Sequence, residues 1–407
     1  EGLEPLGVGL KLAPHPRRHG GVLRAADLAA YRAVWREPVR FEAFGWQVAS
    51  MPLPSSGGII LGQTCGLLER LEWKKYPRFG ADRGHLLAEV WRRAYADRFL
   101  LGDPRTSQAS AAQLLAGEWL DLRADRIRLA KATPSDRVRK WSRELAPEPA
   151  ETTHLSVMDN DGNAVSITTT VNGSFGCGLL VPGAGFILNN EMDDFATAPG
   201  VPNMFGLLQG EANAVGPGKR MLSSMTPTIA WRGDQVIVIG SPGGSKIPNA
   251  TAQVLLNLIV DGDELQAAVD RPRIHHQWMP DKLFIERDSL SPETRRALER
   301  RGHEIELTGK VGDRDAHLII AFQRPQRPSA GVAADIEEPF HRAAEDDGCR
   351  LAEGPVRVVV IKFVPAFLGC VGEIGDALVD CGGVRKYPQS GGTLFADGFF
   401  QVEGALV

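Results

Sequence analysis

The chain has 407 residues, more than a single hydrophobic core usually holds, so two domains or one large layered domain are expected. A formal net charge of −4 and a pI near 6.2 argue against an electrostatic nucleic-acid binder. The longest apolar region, Val356 to Val379, is broken by Lys362, Glu373 and Asp376, which excludes it as a membrane span.

Glu1 opens the chain with neither a methionine nor a signal-peptide pattern, and the first thirty residues already read as folded-domain sequence. A truncated or processed N-terminus is therefore expected, and the compartment is not readable from the residues. Ser55-Ser56-Gly57-Gly58 leads into a predicted helix from Ile59 to Leu71. A second runs from Gly84 to Leu100 and stops at Leu101-Gly102-Asp103-Pro104, a glycine-then-proline ending. A third helical region, Trp119 to Leu145, is rich in Arg, Asp and Lys and is expected on the surface.

A polar, proline-rich stretch, Ala146 to Glu151, then gives way to Thr152-Thr153-His154-Leu155-Ser156-Val157 and a second strand-like run. The three-residue loop Asn160-Asp161-Gly162, with Gly162 in the left-handed position, predicts a hairpin pairing Asp159 with Asn163 and setting Thr152 opposite Thr170. In that register Thr153, Leu155, Val157, Val165, Ile167, Thr169 and Val171 share an apolar face. Thr152, His154, Ser156, Ser166, Thr168 and Thr170 share the other. Two readings are open: a threonine-rich hairpin with a polar surface, or a strand whose first threonine becomes a nucleophile once the preceding peptide bond is cut. In the second, Thr170 reaches the Thr152 hydroxyl and Asn172 stands one pleat further on.

Beyond the hairpin come Gly185 to Asn190, an acidic run at Glu191, Asp193 and Asp194, and a glycine- and proline-containing loop from Pro199 to Arg220. A strand pair is predicted at Thr226 to Trp231 and Gln235 to Ile239, then a helix from Asn249 to Val260. Ser291-Pro292 reads as an N-cap followed by proline at the first helical position. Gly240-Ser241-Pro242-Gly243-Gly244-Ser245-Lys246 has Ser245 where a P-loop needs glycine, which argues against a phosphate cradle. Asn172-Gly173-Ser174-Phe175-Gly176 has Asn172 where a nucleophile elbow needs glycine, which argues against an ordinary serine hydrolase. Gly243-Gly244 is left as a strand-to-helix turn, either a bare tight turn or one whose amides hold an oxyanion. The acidic run taken alone reads as a solvated loop.

Cysteines 65, 177, 349, 370 and 381 are odd in number and fit no C-x-x-C spacing. His275 and His276 are adjacent and the other seven histidines are scattered, so neither a metal nor a cofactor is expected.

Seven separated motifs, in order, resemble the gamma-glutamyltranspeptidase family of N-terminal nucleophile hydrolases. They are PLPSSGG (Pro52 to Gly58), ADRFLLGDP (Ala96 to Pro104), TTHLSV (Thr152 to Val157), NNEMDDF (Asn189 to Phe195), SSMTPT (Ser223 to Thr228), GSPGGS (Gly240 to Ser245) and RPRIHHQW (Arg271 to Trp278). The likeness runs from about Gly20 to Ala321. It implies an α+β fold, a four-layer αββα sandwich, in a proenzyme that cuts itself between Glu151 and Thr152 into a large and a small chain that stay associated. Residues 1–151 would belong to the large chain, 152–322 to the small chain, and 323–407 would be a tail of foreign character. A reading-frame shift, a fused neighbouring sequence or a further domain would each account for that tail.

By the same resemblance Thr152 attacks the γ-glutamyl amide of glutathione or a related compound, its freed α-amine acting as base, and water, an amino acid or a peptide resolves the acyl-enzyme. Thr170 orients the Thr152 hydroxyl, while Gly243 and Gly244 supply oxyanion amides. Asn172, Glu191 and Asp194 bind the substrate α-amino group, and Ser223 and Ser224 its α-carboxylate. The family's α-carboxylate arginine lies upstream of Gly20, where Arg17 and Arg18 are not its equivalent. Phe205 stands where some members place a tyrosine in the lid over the pocket. An exported, periplasmic or cell-surface location is implied as well. Alternatives are a related amidohydrolase acting on a bulkier acyl group and an inactive remnant.

Overall fold

The computed structural model describes residues 24–139, 152–159, 162–181, 186–196, 198–203, 207–287, 289–309, 311, 320–323, 358–365 and 400–406. In chain order the first elements are α1 (Ala25–Ala30), β1 (Val34–Trp35), β2 (Val39–Ala43), β3 (Trp46–Ser50), α2 (Gly57–Arg70), α3 (Ala81–Arg98), α4 (Ala111–Leu114), α5 (Gly117–Ala124) and α6 (Ser135–Val138). The middle of the chain adds β4 (Thr153–Met158), β5 (Ala164–Thr169), β6 (Leu180–Val181), β7 (Phe186–Ile187), β8 (Thr228–Arg232), β9 (Gln235–Ile239), α7 (Ile247–Ile259) and α8 (Leu265–Asp270). It closes with β10 (Ile274–His275), β11 (Leu283–Glu286), α9 (Pro292–Arg300), β12 (Ile305–Thr308), β13 (Ile320–Gln323), β14 (Val358–Pro365) and β15 (Phe400–Leu406). This mixture of helices and sheets is the expected α+β class.

Two five-stranded sheets organise it, one in the order β1-β15-β14-β5-β4 and the other β13-β9-β8-β3-β2. The second is antiparallel throughout. Its outer face packs on helices: Val48, Ala230, Ile237 and Ile239 meet Leu61 and Cys65 of α2 and Ala252 and Leu255 of α7. Its inner face, with Ala49, Ile229, Val236 and Val238, meets Ala164 of the first sheet. Each large apolar side chain buried in these seams contributes about 1.5–3 kcal/mol. Helix, sheet and sheet thus stack in that order. In the first sheet β14 runs parallel to β5, from Val358 beside Ala164 to Phe363 beside Thr169. Part of the sequence expected to be foreign therefore pairs directly with the hairpin strand.

Helices α2, α3 and α7 each lie within a few residues of expectation. Ser291 caps α9 through its hydroxyl, which accepts from the Thr294 N–H at 3.2 Å, with Pro292 at the first helical position. The third helical region is a correction. Instead of one helix from Trp119 to Leu145 there are α5 and the single turn of α6. Pro134 lacks the N–H that a helix interior needs and disfavours helical backbone at Thr133. Nor is it a purely surface element: Arg123 is buried with its guanidinium on Asp97, whose carboxylate also receives Gln63 Nε2 and Trp119 Nε1 at 2.9 Å each. Residues 140–145 lie outside the described residues.

Candidate active site

The β4–β5 hairpin has the register its turn residues predict. Thr153 pairs with Thr169 and Met158 with Ala164. The Asp159 N–H donates to Asn163 O at 3.0 Å, and Gly162 sits at φ +85°. Continued by one residue, the pairing aligns Thr152 with Thr170. The polar face turns inward. His154, Ser156, Ser166 and Thr168 are buried; on the other face Ile167 and Val171 are buried as well, but Thr153 is exposed and Leu155, Val157 and Val165 are half-buried. The reading of this hairpin as one with a polar surface is thereby corrected.

Burying hydroxyls and an imidazole requires partners, and the second sheet provides them. Ser156 Oγ donates to Val238 O and Ser166 Oγ to Ile239 O, both at 3.1 Å, and Ser166 Oγ receives the Thr228 N–H at 3.1 Å. His154 Nδ1 bonds Thr168 Oγ1 at 2.8 Å and lies against Gly240. Thr152 itself is half-buried at the head of this strand. Glu151 lies outside the described residues.

Beyond Thr170 the chain bends sharply. The Asn172 N–H donates to Thr170 Oγ1 at 2.8 Å, with Asn172 at φ +75°, a conformation asparagine tolerates better than most residues. Asn172 Nδ2 donates to Asn190 O at 3.1 Å, and Asn190 Oδ1 receives the Gly173 N–H at 2.8 Å. Asn190 leads directly into the 3₁₀ turn Glu191–Asp194, in which Glu191 is buried and Asp194 half-buried. The acidic residues are thus laced to the end of β5 rather than held in a free solvated loop. Asp194 O accepts Gln209 Nε2 at 3.0 Å and Asn213 Nδ2 at 2.8 Å, and Asn213 Oδ1 receives the Leu222 N–H at 2.9 Å. Through Asn213 the acidic turn is tied to the segment that presents Ser223 and Ser224.

The two serines are buried beside the start of α2. Ser223 forms a bridge with Ser55, and its oxygen Oγ accepts the Met225 N–H at 3.1 Å. Arg98, buried at the end of α3, donates from Nε to Ser56 Oγ at 3.0 Å and from Nη2 to Ser224 Oγ at 3.4 Å. Gly243 at φ +129° and Gly244 at φ +56° form the expected turn, which winds through a short 3₁₀ segment into α7. Arg98, Asn190 and Asn213 escaped the sequence reading, although Arg98 lies inside ADRFLLGDP and Asn190 inside NNEMDDF. Phe205 lies outside the described residues.

Among the described residues, one cluster has metal-ligand chemistry. His85, Glu89 and His303 are buried with ligand atoms within 4.8 Å of one another. Glu89 is fully engaged, however: Oε1 accepts from Arg92 and the Thr133 N–H, and Oε2 from Arg93 at 2.8 Å and Thr133 Oγ1 at 2.6 Å. Burial would raise its carboxyl pKa, but Arg92 and Arg93 hold it below the usual range. His85 Nδ1 and His303 Nε2 bond each other at 2.8 Å. These donors fit a structural network better than an ion.

A family model described as Gamma-glutamyltranspeptidase matches residues 7–334, somewhat beyond both expected ends of the likeness. The chain is 44% identical over 312 residues to a glutathione hydrolase proenzyme of Escherichia coli, covering 76% of this chain and 53% of that protein. It is 43% identical over 319 residues to a glutathione hydrolase proenzyme of a Pseudomonas species, covering 77% and 53%. Among solved structures, a cephalosporin acylase from Bacillus halodurans superposes with a TM-score of 0.62 at 27% identity, over 78% of this chain and 56% of that one. The chain spans about half the length of these relatives. With the family match extending over most of its residues, the chain belongs to the gamma-glutamyltranspeptidase family.

Proposed function

We propose that this chain carries the acyl-transfer machinery of an autoprocessing γ-glutamyl transferase and hydrolase. The observation that carries the reading is the inward-facing hairpin: Thr152 heads the buried polar face, and His154, two residues on, abuts Gly240 just before the Gly243-Gly244 turn. The cut falls between Glu151 and Thr152, giving a large-chain part up to Glu151 and a small chain from Thr152. A helical layer outside the first sheet completes an αββα sandwich.

Self-cleavage begins when Thr152 Oγ attacks the Glu151 carbonyl carbon. The peptide C–N bond breaks as the ester forms, which frees the Thr152 α-amine with the hydroxyl proton, and water then hydrolyses the ester to the Glu151 carboxylate and the Thr152 hydroxyl. That amine then takes the hydroxyl proton as Oγ attacks the γ-glutamyl carbonyl of glutathione or a related amide. The Gly243 and Gly244 amides receive the oxyanion, and Thr170 orients the hydroxyl. The leaving amine departs with the proton, and water, an amino acid or a peptide opens the acyl ester. Asn172, Glu191 and Asp194 hold the substrate ammonium, because a cation leaving water needs compensating charge. Ser223 and Ser224 hydrogen-bond the α-carboxylate. Export to the periplasm or cell surface accompanies this reading; among the described residues no helix is long and apolar enough to cross a membrane.

Intact mass with N-terminal sequencing, alongside turnover of L-γ-glutamyl-p-nitroanilide, tests it. A fragment starting at Thr152 together with p-nitroaniline release is expected; an uncleaved, inactive chain would overturn it. The acylase neighbour favours a second reading, an amidohydrolase for acyl groups without an α-amine. Preference for glutaryl-p-nitroanilide over the γ-glutamyl compound would select that reading.

A further inference from the structure

The RPRIHHQW segment contributes no residue to the chemistry above, yet its polar side chains are buried directly behind the Gly243-Gly244 turn. Ser245, the next residue, donates from Oγ to Gln277 Oε1 at 2.7 Å. The same Gln277 oxygen meets His275 Nε2 at 2.8 Å, and His275 Nδ1 meets Asn249 Nδ2 at 2.8 Å. Because an amide nitrogen only donates, Nδ1 must be the accepting nitrogen and the imidazole proton sits on Nε2, pointing at Gln277. Asn249 Nδ2 also donates to His276 O at 3.0 Å. Tyr95 completes the set: its hydroxyl donates to Ser245 O, and its ring stands edge-on to His275 with centroids 6.0 Å apart. Ser245, Gln277, His275, Asn249 and Tyr95 are all buried. They come from the turn itself, the β10 segment, α7 and α3.

We propose that Gln277 and His275 are positioning residues that lock the Gly243-Gly244 turn by fixing Ser245 at its hydroxyl, while Tyr95 fixes its carbonyl. This inference rests on the proposed function for its catalytic consequence, but not for its structural one. Two consecutive glycines at positive φ have the widest choice of backbone conformations of any residue pair. Amides carried by such a turn stabilise a developing oxyanion only if their direction is set in advance, so that no reorganisation is needed at the moment of reaction. A network anchored on three separate elements supplies that constraint. Burial keeps the imidazole neutral, with its pKa pushed down to about 3, so the tautomer that feeds Gln277 is kept at working pH.

Gln277→Met and Ser245→Ala, singly and together, test this in the whole chain by two readouts. Hydrogen–deuterium exchange of peptides covering residues 240–246 is expected to speed up by about tenfold or more in each variant, with the β8–β9 hairpin unchanged. With L-γ-glutamyl-p-nitroanilide, kcat is expected to fall roughly 10–100-fold, with KM within about threefold. The double variant should be no worse than the poorer single one, because the pair acts as a unit. Unchanged exchange in the turn, or equal loosening of β8–β9, overturns the inference whatever the turnover. Local loosening in a chain whose parent form never turns over a γ-glutamyl amide supports the lock and counts against the proposed function instead.

Discussion

His154 lies so close to Gly240 that a Cβ added at position 240 would stand 2.2 Å from its ring Cε1 and 2.3 Å from Nδ1. The imidazole cannot swing aside cheaply, since Nδ1 is bonded to Thr168 and Nε2 to Ser156 within a buried seam. Gly240→Ala should therefore push the two sheets apart where β4 begins. A loss of about 1–3 kcal/mol is expected for overpacking of this kind, measured by denaturant unfolding, and self-cleavage should slow with it. Parental stability and processing in Gly240→Ala would show that the seam yields without cost.

Thr152→Ala should abolish both self-cleavage and turnover, because the proposed scheme assigns both attacks to that one hydroxyl. Gel electrophoresis and p-nitroanilide assay of the same preparation check the pair. Normal processing in that variant would remove Thr152 from the scheme.

Local rules went far in this chain because several of its signals are local. The hairpin register follows from a loop whose glycine adopts φ +85°, and the α9 start follows from Ser291 and Pro292. Alternation also sorted Thr152, His154, Ser156, Ser166 and Thr168 onto one face. Which face points inward is decided by what packs on it, and that partner is β9, some 80 residues away, whose carbonyls receive Ser156 and Ser166. The contact between Arg98 and Ser224 and the tie of Asp194 to Leu222 through Asn213 are equally non-local. No periodicity encodes them, so the motif positions were legible while the bonds between motifs were not. The interruption just before α6 was local, and Pro134 is its signal.

Asp194→Ala should leave self-cleavage intact, since the carboxylate is assigned to the substrate ammonium and not to the scissile peptide. Removing a charge-assisted contact costs about 1.5–3 kcal/mol, so KM for L-γ-glutamyl-p-nitroanilide should rise roughly 10–150-fold. The backbone carbonyl at 194 keeps its bonds to Gln209 and Asn213, so the acidic turn should hold its shape. An unchanged KM would take Asp194 out of the pocket.

Acid should unfold this protein through its buried histidines. Burial, followed by the positive charge of Arg92, holds His303 and His276 neutral, with pKa values of about 3 and about 4. Burial, with Lys246 and His276 nearby, holds His275 at about 3. In the unfolded chain each returns to about 6.5. Above that pH both states are neutral and nothing is lost. As pH falls from about 6.5 towards 4, the unfolded chain takes up protons that the folded chain refuses, so stability drops. Each histidine contributes at most about 1.4 kcal/mol per pH unit, or about 4 kcal/mol per unit for the three together. Urea unfolding between pH 8 and 4.5 should show a plateau and then a steep fall. In His303→Asn the fall should be shallower by about one proton, because asparagine does not titrate. A slope identical to the parent's would mean that His303 is protonated in the folded protein, against the burial and the Arg92 charge that surround it.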